Sequence, residues 1–167
     1  MMHIPVSKPD PIPFAVPDFD RARRKGVPEV ILADRKTVEQ SLAIARAFLE
    51  RAGRAILSRV GPELEARLRS EFTAEAALEW VAPARAAVLR RPGFIPPQTD
   101  GRVGVITAGT SDIPVAEEAV LLCREMGCTV HTVYDVGVAG LHRLFEPLRA
   151  LLDEVEVDVI IVAAGMD

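Results

Sequence analysis

The sequence predicts an α/β protein: a small N-terminal α/β domain followed by an incomplete, parallel, doubly wound three-layer α/β/α sheet. Three observations carry this. Beyond residue 101, the β-branched runs VGVIT, CTVHTVYDV and VDVIIVAA alternate with the helix-periodic stretches IPVAEEAVLLCREMG and LHRLFEPLRALLDEV; near-continuous Val/Ile runs are what parallel strands covered on both faces require. A break rich in turn residues (Pro92, Gly93, Pro96, Pro97, Asp100, Gly101) divides the chain. Charge changes sign at the same place: residues 1–100 hold 16 Lys and Arg against 13 Asp and Glu, and residues 101–167 hold 4 against 11, so the halves carry +3 and −7.

In order along the chain, residues 1–17 contain five of the 13 prolines and are expected as an extended or disordered arm with no part in the fold. Residues 18–91 form the first domain. FDRARRKG suggests a short polar helix, and PEVILA after Pro28 is a run of strand length. Thr37 and Gln40 make a capping box, and the helix they open places Leu42, Ala45, Phe48 and Leu49 on one stripe before ending at Gly53. AILSRV is the next strand, a helix over 62–69 begins with Pro62, and an apolar run at 84–90 is expected to close a three-stranded sheet. Residues 92–101 are the linker. Residues 102–167 form the second domain, expected to be truncated at its C-terminal end.

Composition bounds the function. With 49% hydrophobic and 26% charged residues the chain is globular, and no stretch approaches the ~18 apolar residues of a membrane-spanning helix. The only dense basic run is Arg21, Arg23, Arg24 and Lys25, too short for a nucleic-acid face. Cys123 and Cys128 show neither CxxC nor His-rich spacing, which speaks for a reducing compartment, and the cytoplasm is the expected location. Cys123 shares a helix stripe with Ala119, Val120 and Met126 and reads as a small core residue, as does Cys128 beside Gly127.

In an open parallel sheet the loops after the strands gather at the carboxyl edge, and ligands bind where strand order reverses. Three segments belong there: 108–112 (AGTSD), 137–143 (GVAGLHR) and 165–167 (GMD). Gly109 allows close approach, while Thr110 and Ser111 bring hydroxyls to a helix start whose first amides lack partners, a setting suited to phosphate or carboxylate. Asp112 at the N-cap position and Pro114 in the first turn explain the same residues as a helix start without a ligand. Gly137 and Gly140 free the second loop, where Arg143 can fork onto a phosphate and His142 can move a proton. Gly165 and Asp167 complete the set. In the first domain, Arg21, Arg24, Lys36 and Thr37 are possible anion contacts, although a solvated face and a simple cap account for them too. There is no Ser/His/Asp series, HExxH, P-loop or full GxGxxG, so no catalytic residue and no metal ligands are assigned.

The segments GRVGVITAGTSDIPVAEEA, VYDVGVAGLHR and VDVIIVAAGMD, preceded by DFDRARRKGVPEVILADRKTVEQ, resemble the LarB family of nickel-pincer nucleotide cofactor biosynthesis over residues 18–167. The resemblance implies a flavodoxin-like core domain similar to PurE, the aminoimidazole ribonucleotide carboxylase/mutase, behind a smaller α/β domain. It implies a carboxylase/hydrolase that adds carbon dioxide to the pyridinium ring of nicotinic acid adenine dinucleotide. Phosphoanhydride hydrolysis then gives pyridinium-3,5-biscarboxylic acid mononucleotide and AMP. A cysteine thiolate activates the ring, Mg2+ assists hydrolysis, and no organic cofactor is evident. By that likeness Ser111 and Asp112 hold ribose or phosphate, and His142 and Arg143 face the mononucleotide. Arg35 stands where the family usually has glycine. Neither Cys123 nor Cys128 matches the family's nucleophile, which is expected beyond Asp167, so these 167 residues alone are expected to be inactive.

Two other readings compete. An aminoimidazole ribonucleotide carboxylase would carry SAHRTP where this chain has GVAGLHR, and such proteins lack the first hundred residues. A non-catalytic nucleotide-binding or oligomer-forming module would use the loops only as structure. The expected partners are a dinucleotide substrate and further copies of the chain, since VDVIIVAA would otherwise be an exposed edge; neither nucleic acid nor membrane is expected.

Overall fold

The computed structural model describes residues 12–165. The first domain holds helices α1 (Arg21–Lys25), α2 (Val38–Ala52) and α3 (Pro62–Phe72) with strands β1 (Ile31–Leu32), β2 (Arg54–Ser58), β3 (Ala77–Val81) and β4 (Ala86–Arg90). Its sheet runs β1-β2-β4-β3, with β1 and β2 parallel and the β2–β4 and β4–β3 pairs antiparallel. The sheet therefore has four strands, not three. The additional strand is ALEWV, which pairs with β4 as a hairpin and lays Leu78 and Trp80 against the first core.

Local chemistry sets the helix ends. Gln40 N–H donates to Thr37 Oγ1 and Thr37 N–H to Gln40 Oε1, both at 3.1 Å, so the capping box satisfies two N-terminal donors of the α2 region. α2 ends at Gly53, left-handed at φ +73°, the conformation glycine adopts without a Cβ penalty. Ser41, Leu42, Ile44, Ala45, Phe48 and Leu49 form its buried stripe. Part of the N-terminal arm also joins the fold: Ile12 and Ala15 pack on this core, contrary to the expectation that the arm plays no part, while residues 1–11 lie outside the described residues.

The second domain comprises β5 (Arg102–Thr107), α4 (Ile113–Glu125), β6 (Thr129–Val133), α5 (His142–Asp153) and β7 (Val159–Ala163). Its strands are all parallel in the order β6-β5-β7. Alternate residues of these strands serve opposite faces. Val103, Val105 and Ile161 meet Ala116 and Val120 of α4, and Ile106 and Ile160 meet Leu144, Leu148 and Leu151 of α5.

α4 is shared by both domains. Its other side brings Leu121 onto Ile56, Ala86 and Val88, the face of the first sheet that α2 and α3 do not cover. The layers thus run α2 and α3, first sheet, α4, second sheet, α5. This explains why β2 and β4 are buried almost throughout. Glu125, 3% exposed, ends α4 between two arginines of the first sheet. Arg54 Nη1 donates to its Oε2 at 2.8 Å and to its main-chain oxygen at 2.6 Å, and Arg90 Nη2 donates to its Oε1. Burial opposes the charge on Arg90, but hydrogen bonds to Glu125 and Glu79 outweigh it and hold the guanidinium pKa above its ordinary value. The 92–101 segment is docked: Phe94 packs where a Gly53 side chain would stand, and Thr99 N–H donates to the Gly127 carbonyl at 3.0 Å.

Candidate functional site at the carboxyl edge of the second sheet

The chain leaves β5 through α4 to reach β6 on one side, then crosses through α5 to β7 on the other. Strand order therefore reverses at β5, and the loops after β5, β6 and β7 meet at one edge. Thr107 anchors them. It is fully buried at the end of β5; its Oγ1 accepts the Asp135 N–H at 3.0 Å, and its carbonyl accepts the Val136 N–H at 3.1 Å. Asp135 is left-handed at φ +61°, a costly conformation for a residue with a side chain. Gly137 then donates to the Ala108 carbonyl at 2.7 Å, and a Cβ on Gly137 would stand 2.7 Å from that same oxygen. Here glycine is a packing requirement.

In the first loop, Thr110–Asp112 form a 3-10 turn that leads into α4, and Thr110 and Ser111 are exposed. Asp112 occupies the N-cap position of α4 but makes no side-chain cap there. Its Oδ2 turns back to accept the Gly109 N–H at 3.0 Å, because the 3-10 turn brings that amide within reach. The third loop comes close as well, since a Cβ on Gly165 would lie 3.3 Å from Asp112 Oδ1. In the second loop Gly140 sits under Arg143, whose Nη1 donates to Asp135 Oδ2 at 3.0 Å; His142 is exposed as the first residue of α5. Asp167 lies outside the described residues. A cleft of about 260 Å³ opens beside these loops, between α5 and the sheet, with Ile106, Ile160 and Val162 on one wall and Leu141, Leu144 and Leu148 on the other.

The candidate anion contacts of the first domain have partners of their own. Arg21 pairs with Glu29 at 3.7 Å, Arg24 with Asp18, and Lys36 Nζ donates to the Leu32 carbonyl at 2.8 Å, while Thr37 is spent on its cap. Sequence reasoning missed Thr107 and Asp135. A polar residue closing an apolar strand was the available signal for Thr107; the Arg143 partnership of Asp135 has none short of the fold. Tyr134, beside Asp135, donates to Glu117 of α4, and burial first, then this hydrogen bond, pushes its phenol up to about 12.

Chemically, the edge offers loop amides, two exposed hydroxyls, an arginine and a histidine, a set suited to binding a phosphorylated ligand. It offers no thiolate: Cys123 is half-buried against the α4 core, and burial, then the neighbouring Cys128, push its thiol up. Asp112 is engaged with Gly109 and Asp135 with Arg143, and among the described residues no three His, Cys, Asp or Glu are grouped as ligands would be. Among the described residues, no helix is long and apolar enough to cross a membrane.

Residues 10–91 match the family model of the LarB/PurE-like N-terminal domain. The chain is 35% identical over 152 residues, 90% of its length, to an uncharacterized protein of Methanocaldococcus jannaschii, and it spans 59% of that relative.

Proposed function

Because the first domain belongs to the LarB/PurE-like family, we propose that this chain is the nucleotide-binding part of a pyridinium carboxylase. Its substrates are nicotinic acid adenine dinucleotide, carbon dioxide and the water that hydrolyses the phosphoanhydride, and its products pyridinium-3,5-biscarboxylic acid mononucleotide and AMP. The observation that carries the reading is the convergence of the three loops at the strand-order reversal, with Gly137 seated on Ala108 and Gly165 near Asp112. In this reading Thr110, Ser111 and the loop amides hold ribose and phosphate oxygens. Arg143 exchanges Asp135 for a phosphate, a trade a guanidinium fork makes readily because both partners present two anionic oxygens to its paired N–H donors. His142 faces the mononucleotide. Carboxylation requires a nucleophile to make the electron-poor ring electron-rich, and neither Cys123 nor Cys128 lies in these loops. The reaction is one of cytoplasmic metabolism, and the protein works as a homo-oligomer.

Calorimetric titration of these 167 residues with nicotinic acid adenine dinucleotide tests the reading. Saturable heat is expected, weakened about tenfold or more by Arg143→Ala through loss of a charge-assisted hydrogen bond. Mass spectrometry is expected to show no carboxylated product. Absence of heat, or tighter binding of aminoimidazole ribonucleotide, overturns the proposal.

A further inference from the structure

The carboxyl end of α4 brings together the two cysteines of the sequence. Cys128 N–H donates to the Cys123 carbonyl at 3.0 Å, and Gly127 N–H donates to the Arg124 carbonyl at 2.9 Å. With Gly127 left-handed at φ +91°, these two bonds are the pattern by which a helix closes on glycine, and the side chains that meet across it are those of Cys123 and Cys128. A carbonyl-to-amide bond of that length keeps the two Cα atoms within about 7 Å, the outer limit for a disulfide. Both side chains also pack on one cluster, that of Val103, Val105, Ala116 and Val120.

The spacing is fixed from outside the helix as well. A Cβ on Gly127 would stand 2.4 Å from the Pro97 carbonyl oxygen, so the segment before β5 is seated on the turn. Thr99 Oγ1 meets the Gly127 carbonyl at 3.2 Å and lies 3.7 Å from Cys128 Sγ, which puts that sulfur beside an exposed residue at the rim of the cluster. Two cysteines that only filled a core would be sealed or apart; these are half-buried and adjacent. We propose that Cys123 and Cys128 are a thiol–disulfide pair, which a small disulfide of the glutathione class oxidises to an intrachain bond across the end of α4. The Cys128 thiolate attacks one sulfur of the reagent, whose S–S bond breaks and releases one thiolate. Cys123 gives up its proton and attacks Cys128 Sγ, and the second thiolate leaves. Two protein thiols are oxidised while one small disulfide is reduced to two thiols. Cys123 is the resolving partner because burial, then Cys128 itself, disfavours its thiolate. In a reducing compartment the pair is open and closes under oxidation. The inference does not depend on the nucleotide reading.

The test adds oxidised glutathione to the folded, reduced chain. Both free thiols are expected to disappear together, and the product to run as a single chain on a denaturing, non-reducing gel. Arg124 lies between the cysteines, so trypsin cuts there after unfolding, and the two peptides are expected to stay joined until a reductant is added. Cys123→Ser is expected to stop at one glutathione on Cys128. Cys128→Ser is expected to react about tenfold more slowly than the intact pair, as a thiol whose ionisation is disfavoured should. If a serine variant does not fold, the joined peptides of the intact chain still decide the matter. Unreacted thiols, a lasting glutathione adduct on the intact chain, a bond between two chains, or equal rates with and without the Cys128 thiol would each overturn the proposal.

Discussion

Replacing Glu125 by glutamine removes the buried charge that two partly buried arginines of the other domain converge upon. The side chains of Glu125, Arg54 and Arg90 are 4%, 9% and 21% exposed, so water replaces the lost partner only in part, and least at Arg54. Breaking a buried ion pair by deleting one partner costs about 3–5 kcal/mol. The lower end applies here, because Arg54 keeps the Glu125 main-chain oxygen at 2.6 Å and Arg90 keeps Glu79 at 2.8 Å. A loss of about 3 kcal/mol corresponds to a fall in Tm of roughly 6–12 °C for a chain of this size. Urea unfolding monitored through Trp80, the single tryptophan in the sequence, measures it. The control is Arg149→Gln, which breaks the exposed Arg149–Asp153 pair and should change stability by less than about 0.5 kcal/mol. A Glu125→Gln loss no larger than the control's would refute the view that this cluster ties the domains together.

Three further outcomes follow from the site. The single tyrosine, Tyr134, should ionise near pH 12 in an absorbance titration. Because its folded pKa is raised, the stability it contributes is complete below its ordinary value near 10 and is lost as pH climbs from there to 12; a midpoint near 10 contradicts the burial of the phenol and its Glu117 contact together. Gly137→Ala should weaken dinucleotide binding at least tenfold with little change in far-UV circular dichroism, since the added methyl would stand 2.7 Å from the Ala108 oxygen; unchanged affinity would detach that contact from the site. Thr107→Val, nearly the same shape, leaves the Asp135 amide unpaired and should cost about 1–3 kcal/mol in chemical denaturation, whereas a neutral result would mean the hydroxyl anchors nothing.

The alternation of strands and helices, the α2 capping box and its Gly53 terminus are written in short-range patterns: a period, a pair three residues apart, a glycine at a stop. β3 is not. ALEWV presents Leu78 and Trp80 to one cluster and only Val81 to the other, with Glu79 interrupting the run, and the hairpin after it turns through Arg85 at φ +46° instead of the glycine or asparagine that usually marks such a turn. The site was legible as three loops, but its fastening was not. The Thr107–Asp135 bond spans 28 residues, and Asp112 could face either α4 or Gly109 until the 3-10 turn decided it. Likewise the charges of Arg21 and Arg24 are plain in the sequence, while Glu29 and Asp18, which occupy them, become partners only in space.

α4 is engaged on two flanks and at both ends. One flank completes the second core, the other completes the first, its last turn is gripped by Arg54 and Arg90, and its first turn issues from the Thr110–Asp112 loop. Held against both sheets and at its last turn, the helix gives the Thr110–Asp112 turn a fixed starting point, to which the first domain contributes through packing and ion pairs alone.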